Sequence, residues 1–242
     1  MSETLHIHTS GGDMPAHLWR PEGGRGPGIV LLQEIFGVSA YIRRRAHQLA
    51  DLGYVVVAPE IYWRLGAEAM EPIEGPDALA KGVGFTSRLD WDAAVADAVA
   101  TVLAVRARGD VSGQVGVVGF CFGGGLGFAA ASALESADPE AGAVDALVSY
   151  YGSALPGIVD HQTVTAPSLH HFGLADDFIP LEAVRHIEEV VTRQPRTTFI
   201  THEGANHAFD NDDAPWFNGT ASGQAWGATV AFLGDRLPVG VA

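Results

Sequence analysis

The chain has 242 residues, of which 47% are hydrophobic and 18% charged, a balance that excludes a disordered polymer and provides for a sizeable buried core. Lys and Arg number 14 against 29 Asp and Glu, and the net charge of −15 repels nucleic-acid phosphates and anionic membrane surfaces. A single cysteine excludes an intrachain disulfide, and the strongly apolar runs are strand-length, far short of the ~20 residues that cross a bilayer.

No linker or composition break divides the chain, so one α/β domain over residues 1–242 is expected. The start, MSETLHIHTSGG, lacks the basic and apolar regions of a secretory signal, which predicts a cytoplasmic protein. LHIHT and AHLWRP, with SGGDMP between them, read as an antiparallel hairpin at a sheet edge. A strand in GIVLLQ, a helix over Tyr41 to Leu52 and a strand in YVVVAP follow. The stretch Ile61 to Arg88 has weak periodicity broken by Gly and Pro, and reads as a short helix with loops or as a cap over a site.

Between Asp90 and Arg108, Trp91, Val95, Val99, Val102 and Val105 recur at helical spacing, predicting an apolar stripe against the sheet. A strand in QVGVVGF leads into a small-residue helix from Gly124 to Ala133. Strands in ALVSYYG, SLHHFG and TTFITHEG, a helix from Leu181 to Arg193 and a last helix from about Gly223 to Arg236 complete the chain. Strands alternating with helices in this way predict a mostly parallel, twisted sheet with helices on both faces.

The cysteine lies in Gly119-Phe-Cys121-Phe-Gly123, a G-x-C-x-G turn between the strand Val115 to Val118 and the small-residue helix. That is the setting of a nucleophile elbow: glycines two residues to either side give a sharp turn room, and the helix N-terminus is aimed at the side chain. There its free N–H groups and dipole stabilise a thiolate and an oxyanion. Two plainer readings compete. A lone cysteine is often a small buried packing residue, and glycines can cradle a phosphate, although neither the dinucleotide nor the P-loop pattern is met.

A thiol nucleophile needs a base, and the base an orienting acid; α/β-hydrolases supply them in the order nucleophile, acid, histidine on loops after late strands. Asp176 follows SLHHFG in GLADDFIP, and His207 follows TTFITHEG in EGANHAF, which matches that order. Spacing leaves Asp177 as a rival to Asp176, and Asp176 is also placed to be a turn or capping acid. The histidines of HEGANH are five residues apart around a glycine, so the zinc motif with ligands at i and i+4 is not met. His170-His171 and the His6/His8 pair, which shares one strand face, read as ordinary core or surface residues, and no metal or cofactor is expected.

Gln33-Glu-Ile-Phe-Gly37 ends the strand GIVLL, where α/β-hydrolases place the loop that supplies a second oxyanion N–H. QEIFG, GFCFGG, GLADDFIP and EGANHAF, in that order over nearly the whole chain, resemble the dienelactone hydrolase family, and APEIYWR (Ala58 to Arg64) resembles its Pro-acid-aliphatic-Tyr segment. The resemblance implies an α/β-hydrolase fold with a Cys-His-Asp triad that opens the lactone of dienelactone. By it Cys121, His207 and Asp176 are the triad, Glu34 contacts the resting thiol and helps form the thiolate, and the N–H groups of Phe122 and Ile35 are the oxyanion donors. Tyr62, Arg64, Lys81 and Asn211 become candidates for substrate contact.

One departure bears on the substrate. Where dienelactone-cleaving members have a carboxylate-holding arginine four residues after the histidine, this chain has Asn211, and the family's second arginine has only Lys81 or Arg88 as counterparts in the cap segment. An Arg–carboxylate pair is a strong, charge-assisted contact, so its loss weakens the case for an anionic lactone. The expected function is cofactor-free hydrolysis of a small lactone or ester through an acyl-thioester, by a monomer or small homo-oligomer. The alternative is a non-hydrolytic module that binds a small molecule or senses oxidants through its thiol.

Overall fold

The computed structural model describes residues 2–240 except 72, 140 and 141. Eight strands form one sheet in the order β1-β2-β4-β3-β5-β6-β7-β8. The strands are β1 (Glu3–Thr9), β2 (Gly12–Trp19), β3 (Gly26–Leu32), β4 (Val55–Pro59), β5 (Val111–Phe120), β6 (Ala146–Tyr150), β7 (Ser168–Gly173) and β8 (Thr197–His202). β1 and β2 pair antiparallel, β2 pairs antiparallel with β4, and every other pairing is parallel. β3, β4, β6 and β7 are buried along their whole length, as central parallel strands covered on both faces must be.

The helices are α1 (Ala40–Asp51), α2 (Ala78–Arg88), α3 (Trp91–Arg106), α4 (Phe122–Ala137), α5 (Leu155–Ile158), α6 (Leu181–Val191) and α7 (Gly219–Arg236). A Cβ on Gly28 of β3 would meet Val105 of α3, whereas Gly116, paired with Ile29 and on the other face, lies against Leu237 just past α7. Because successive strand residues face opposite ways, helices cover both faces of the sheet.

Several boundaries differ from the sequence reading, each for a visible reason. The first hairpin turns within Ser10-Gly11, and Asp13, Met14 and Pro15 belong to β2, because burial alternates through Met14, Ala16 and Leu18. Only Val102 and Val105 of the stripe assigned to α3 are fully buried; the face on the sheet is Ala94, Ala98, Thr101, Val102 and Val105, small enough for close approach, with Asp97 buried beside it. α4 starts at Phe122, directly after the cysteine, and α7 starts at Gly219, where the Asn218 side chain accepts the Ala221 N–H. α5 carries no periodicity that could announce it.

The described residues of 61–88 contain helix and pack on the loop after β3. Two short 3₁₀ turns, Ile61–Leu65 and Ala67–Met70, lead to α2, and Tyr62, Ala69, Ile73 and Phe85 make a small apolar cluster of their own against Phe36 and Leu65. α2 sits directly on the loop after β3: a Cβ on Gly82 would lie 2.8 Å from the carbonyl oxygen of Ile35.

Candidate active site

The end of β5 and the start of α4 meet at Cys121, which holds φ 53° and ψ −114°. Such a backbone costs free energy for any residue with a side chain and persists only where the surroundings enforce it. They do. The Cys121 N–H donates to Tyr150 O at 3.0 Å, and its carbonyl accepts from Gly124, Gly125 and Ser153. A Cβ on Gly119 would lie 2.1 Å from Gly123 O, and one on Gly123 would lie 2.4 Å from Leu32 O, so both flanking glycines are required by close backbone approach. Among the described residues the non-glycine positions with positive φ are Cys121, Tyr151 and Ala208, and all three border this site.

The loops after β7 and β8 bring the other two groups to the thiol. His207 Nε2 lies 3.1 Å from Cys121 Sγ, and His207 Nδ1 lies 2.8 Å from Asp176 Oδ2. The other carboxylate oxygen of Asp176 accepts the N–H groups of Phe178 and Ile179 at 2.8 Å, which fixes its orientation. Asp177, its rival by spacing, turns away and binds Asn206. Burial alone would lower the affinity of His207 for its second proton, but the adjacent thiolate and the Asp176 carboxylate outweigh it and push the pKa up to about 10. Phe122, as the first residue of α4, precedes the intrahelical ladder, so its N–H is free to face a ligand.

Glu34 is fully buried with no cation against it. Its Oε2 accepts from Asn211 Nδ2 at 2.6 Å and its Oε1 from the Tyr151 hydroxyl at 3.3 Å. The expected contact of Glu34 with the resting thiol is thus replaced: the thiol is bonded to His207, and the carboxylate to Asn211 and Tyr151. Burial dominates over these donors and over the favourable charge of His207, and raises its pKa to about 7, with Asp210 adding to the rise.

The unfolded carboxyl titrates near 4.5, so between pH 4.5 and 7 the folded state keeps a proton that the unfolded chain has lost. The contribution of Glu34 to stability is full below pH 4.5 and falls as pH rises to 7. Replacing Glu34 with Gln is expected to raise the melting temperature at pH 8 more than at pH 4.5; an equal or larger gain at pH 4.5 in thermal melts would contradict this.

The remaining candidates separate clearly. Asn211 stands beside the site with both ends of its amide engaged, since its Oδ1 accepts the Asp213 N–H. Tyr62 is buried behind the site, its hydroxyl donating to Ile35 O at 3.1 Å and sharing a hydrogen bond with Thr86, so it braces the loop of Ile35 instead of facing a substrate. Arg64 is not a substrate cation: its guanidinium makes a forked pair with Asp97 and lies over Trp63. Lys81 is exposed on α2 with its Nζ 5.7 Å from the centre of the Phe85 ring, and Arg88 lies over the same ring. Of the HEGANH histidines, His202 is bonded to the buried His171, while only His207 reaches the thiol.

Sequence reasoning missed the network behind Glu34. Asp210 accepts from Arg45 through both oxygens, from Ser222 and from the Tyr41 hydroxyl, and the Tyr151 hydroxyl donates to Glu34. The hydrogen-bonded partners are up to 177 positions apart in the chain and share no spacing; the one local hint was the polar pair Tyr150-Tyr151 at the end of an apolar strand.

A cavity of about 660 Å³ opens next to this constellation, walled by Phe36, Ile73, Leu79, Pro215, Trp216 and Asn211 among others. Its lining connects to the Cys121–His207–Asp176 group through neighbours: Asn211 hydrogen-bonds Glu34, and Trp216 packs on Phe178, which packs on the His207 ring at 5.1 Å.

The sequence profile described as the dienelactone hydrolase family matches residues 14–237. A carboxymethylenebutenolidase of Pseudomonas sp. (strain P51) is 30% identical over 242 residues, covering 99% of this chain and 98% of that protein. Carboxymethylenebutenolidase 1 of Cupriavidus pinatubonensis is 31% identical over 229 residues, covering 93% and 92%. Among solved structures, a dienelactone hydrolase-like promiscuous phosphotriesterase from metagenomic libraries matches with a TM-score of 0.77 at 21% identity, covering 98% of each chain, a likeness of fold.

Proposed function

Because the chain belongs to the dienelactone hydrolase family and is a hydrolase acting on ester bonds, we propose that Cys121 is its nucleophile, with His207 as proton carrier and Asp176 as orienting acid. The observation that carries this reading is the continuous line from thiol to imidazole to carboxylate, 3.1 Å and 2.8 Å, at a strained turn on a helix N-terminus.

The thiolate attacks the carbonyl carbon of a small lactone or ester, and the electron pair of the C=O bond moves to oxygen, facing the N–H groups of Phe122 and Ile35. On collapse the C–O bond breaks, and the leaving alkoxide takes the proton from His207 Nε2. Water then gives its proton to His207 and attacks the acyl-thioester, and the thiolate departs. When the substrate is a lactone, the alkoxide stays tethered and the product is a hydroxy acid. Glu34 acts electrostatically, its charge favouring the imidazolium of His207.

A redox-sensing thiol needs no base and no orienting acid, whereas hydrolysis uses both, so the hydrolytic reading accounts for more of the site. Rapid quenching of the reaction with an activated aryl ester under reducing conditions tests it. The expected result is an acyl mass on the Cys121 peptide that forms in a burst and decays at the turnover rate; turnover with no such adduct rules the thioester route out.

A further inference from the structure

We infer that the cavity beside the triad selects an uncharged ester or lactone bearing a bulky apolar group and discriminates against substrates that carry a carboxylate. This rests on the nucleophile reading above and specifies the substrate class of the same site. Apolar side chains make most of the wall: Phe36, Pro215 and Trp216, with Ile73 and Leu79 from the 61–88 segment. The charged lining residues are Glu74 and Asp213, both acids.

The cations that a carboxylate could use are otherwise engaged. Arg44 is held by Asp212 and Asp213, Arg45 by Asp210 and Arg64 by Asp97. Lys81 and Arg88 lie over Phe85, outside the residues that line the cavity. Asn211, which does line it, donates to Glu34 and accepts from Asp213, and behind it stands a carboxyl that ionises as pH passes about 7. An entering carboxylate would give up water, find no cation among the lining residues and face Glu74 together with an Asp213 that already holds Arg44, whereas an aryl or branched alkyl group would meet matching surface. Leu79 in the lining and Phe178, which packs on Trp216, are exposed apolar residues that extend the same character outward.

The test compares 4-nitrophenyl pentanoate with mono-4-nitrophenyl glutarate, whose acyl chains match in length and differ by a terminal methyl against a carboxylate. At low ionic strength kcat/KM for the pentanoate is expected to exceed that for the glutarate by about tenfold or more. Glu74 is exposed on the cavity rim, and Glu74→Lys is expected to narrow that ratio about threefold by raising kcat/KM for the glutarate more than for the pentanoate. Equal rates, or preference for the glutarate, overturn the proposal, and loss of that preference in Lys81→Ala would assign the carboxylate to Lys81. Failure of the nucleophile reading shows separately, as turnover of either ester by Cys121→Ala.

Discussion

Replacing Cys121 with Ala is expected to lower ester turnover about 10⁴-fold or more while leaving the fold intact, because the variant loses the bond-forming atom and keeps the donors around it. The site argues for the second half of that result as strongly as the first. The strained backbone of Cys121 is held by bonds from its own N–H and carbonyl to Tyr150, Gly124, Gly125 and Ser153, and by glycine contacts, none of which uses sulfur. Alanine also removes the sulfur whose charge and hydrogen bond help raise the pKa of His207 to about 10, so in the variant the imidazole is expected to titrate well below that value. NMR titration of His207 alongside the rate measurement checks both at once. Residual activity near wild type would contradict the proposed nucleophile, and an unchanged His207 titration would contradict the coupling of His207 to Cys121.

The second large effect concerns stability. Asp210 is buried and takes a forked pair from Arg45, at 2.6 and 2.9 Å, together with the hydroxyl groups of Ser222 and Tyr41. Asp210→Ala strands the Arg45 charge in an interior where Trp226 and Tyr41 are its neighbouring rings. Breaking a buried pair from one side costs about 3–5 kcal/mol, and at roughly 2–4 °C per kcal/mol for a chain of this size the melting temperature should fall by about 6–20 °C. The double variant Arg45→Met with Asp210→Leu should recover much of that loss, since both charges are then gone. A drop of only a degree or two in Asp210→Ala would mean that the pair is more hydrated than its burial implies.

The legible part of this protein is the part written in local pattern. Strands buried on both faces read as continuous apolar runs, and the elbow reads from glycines at fixed offsets, so the sheet and the position of Cys121 were visible in advance. His207 and Asp176 were visible through their order after late strands, although choosing Asp176 over Asp177 took the turn geometry that sends Asp177 to Asn206. Arg64 was misread because a cation near a family-like segment resembles a substrate contact, whereas its partner, Asp97, lies on the buried side of α3. The contact between Asn211 and Glu34 and the network beyond it were illegible, since hydrogen bonds between residues up to 177 positions apart leave no periodicity.

The seat of α2 has a consequence for how the enzyme is tuned. At Gly82 the cap helix rests on the carbonyl of Ile35, the same carbonyl that the Tyr62 hydroxyl holds, and the N–H of that residue is the one assigned to the oxyanion. Roof and reaction centre are therefore one mechanical piece. A helix that shifts to admit a larger guest moves Ile35, whose N–H is proposed to face the oxyanion, so the width of the doorway and the speed of the chemistry are expected to change together.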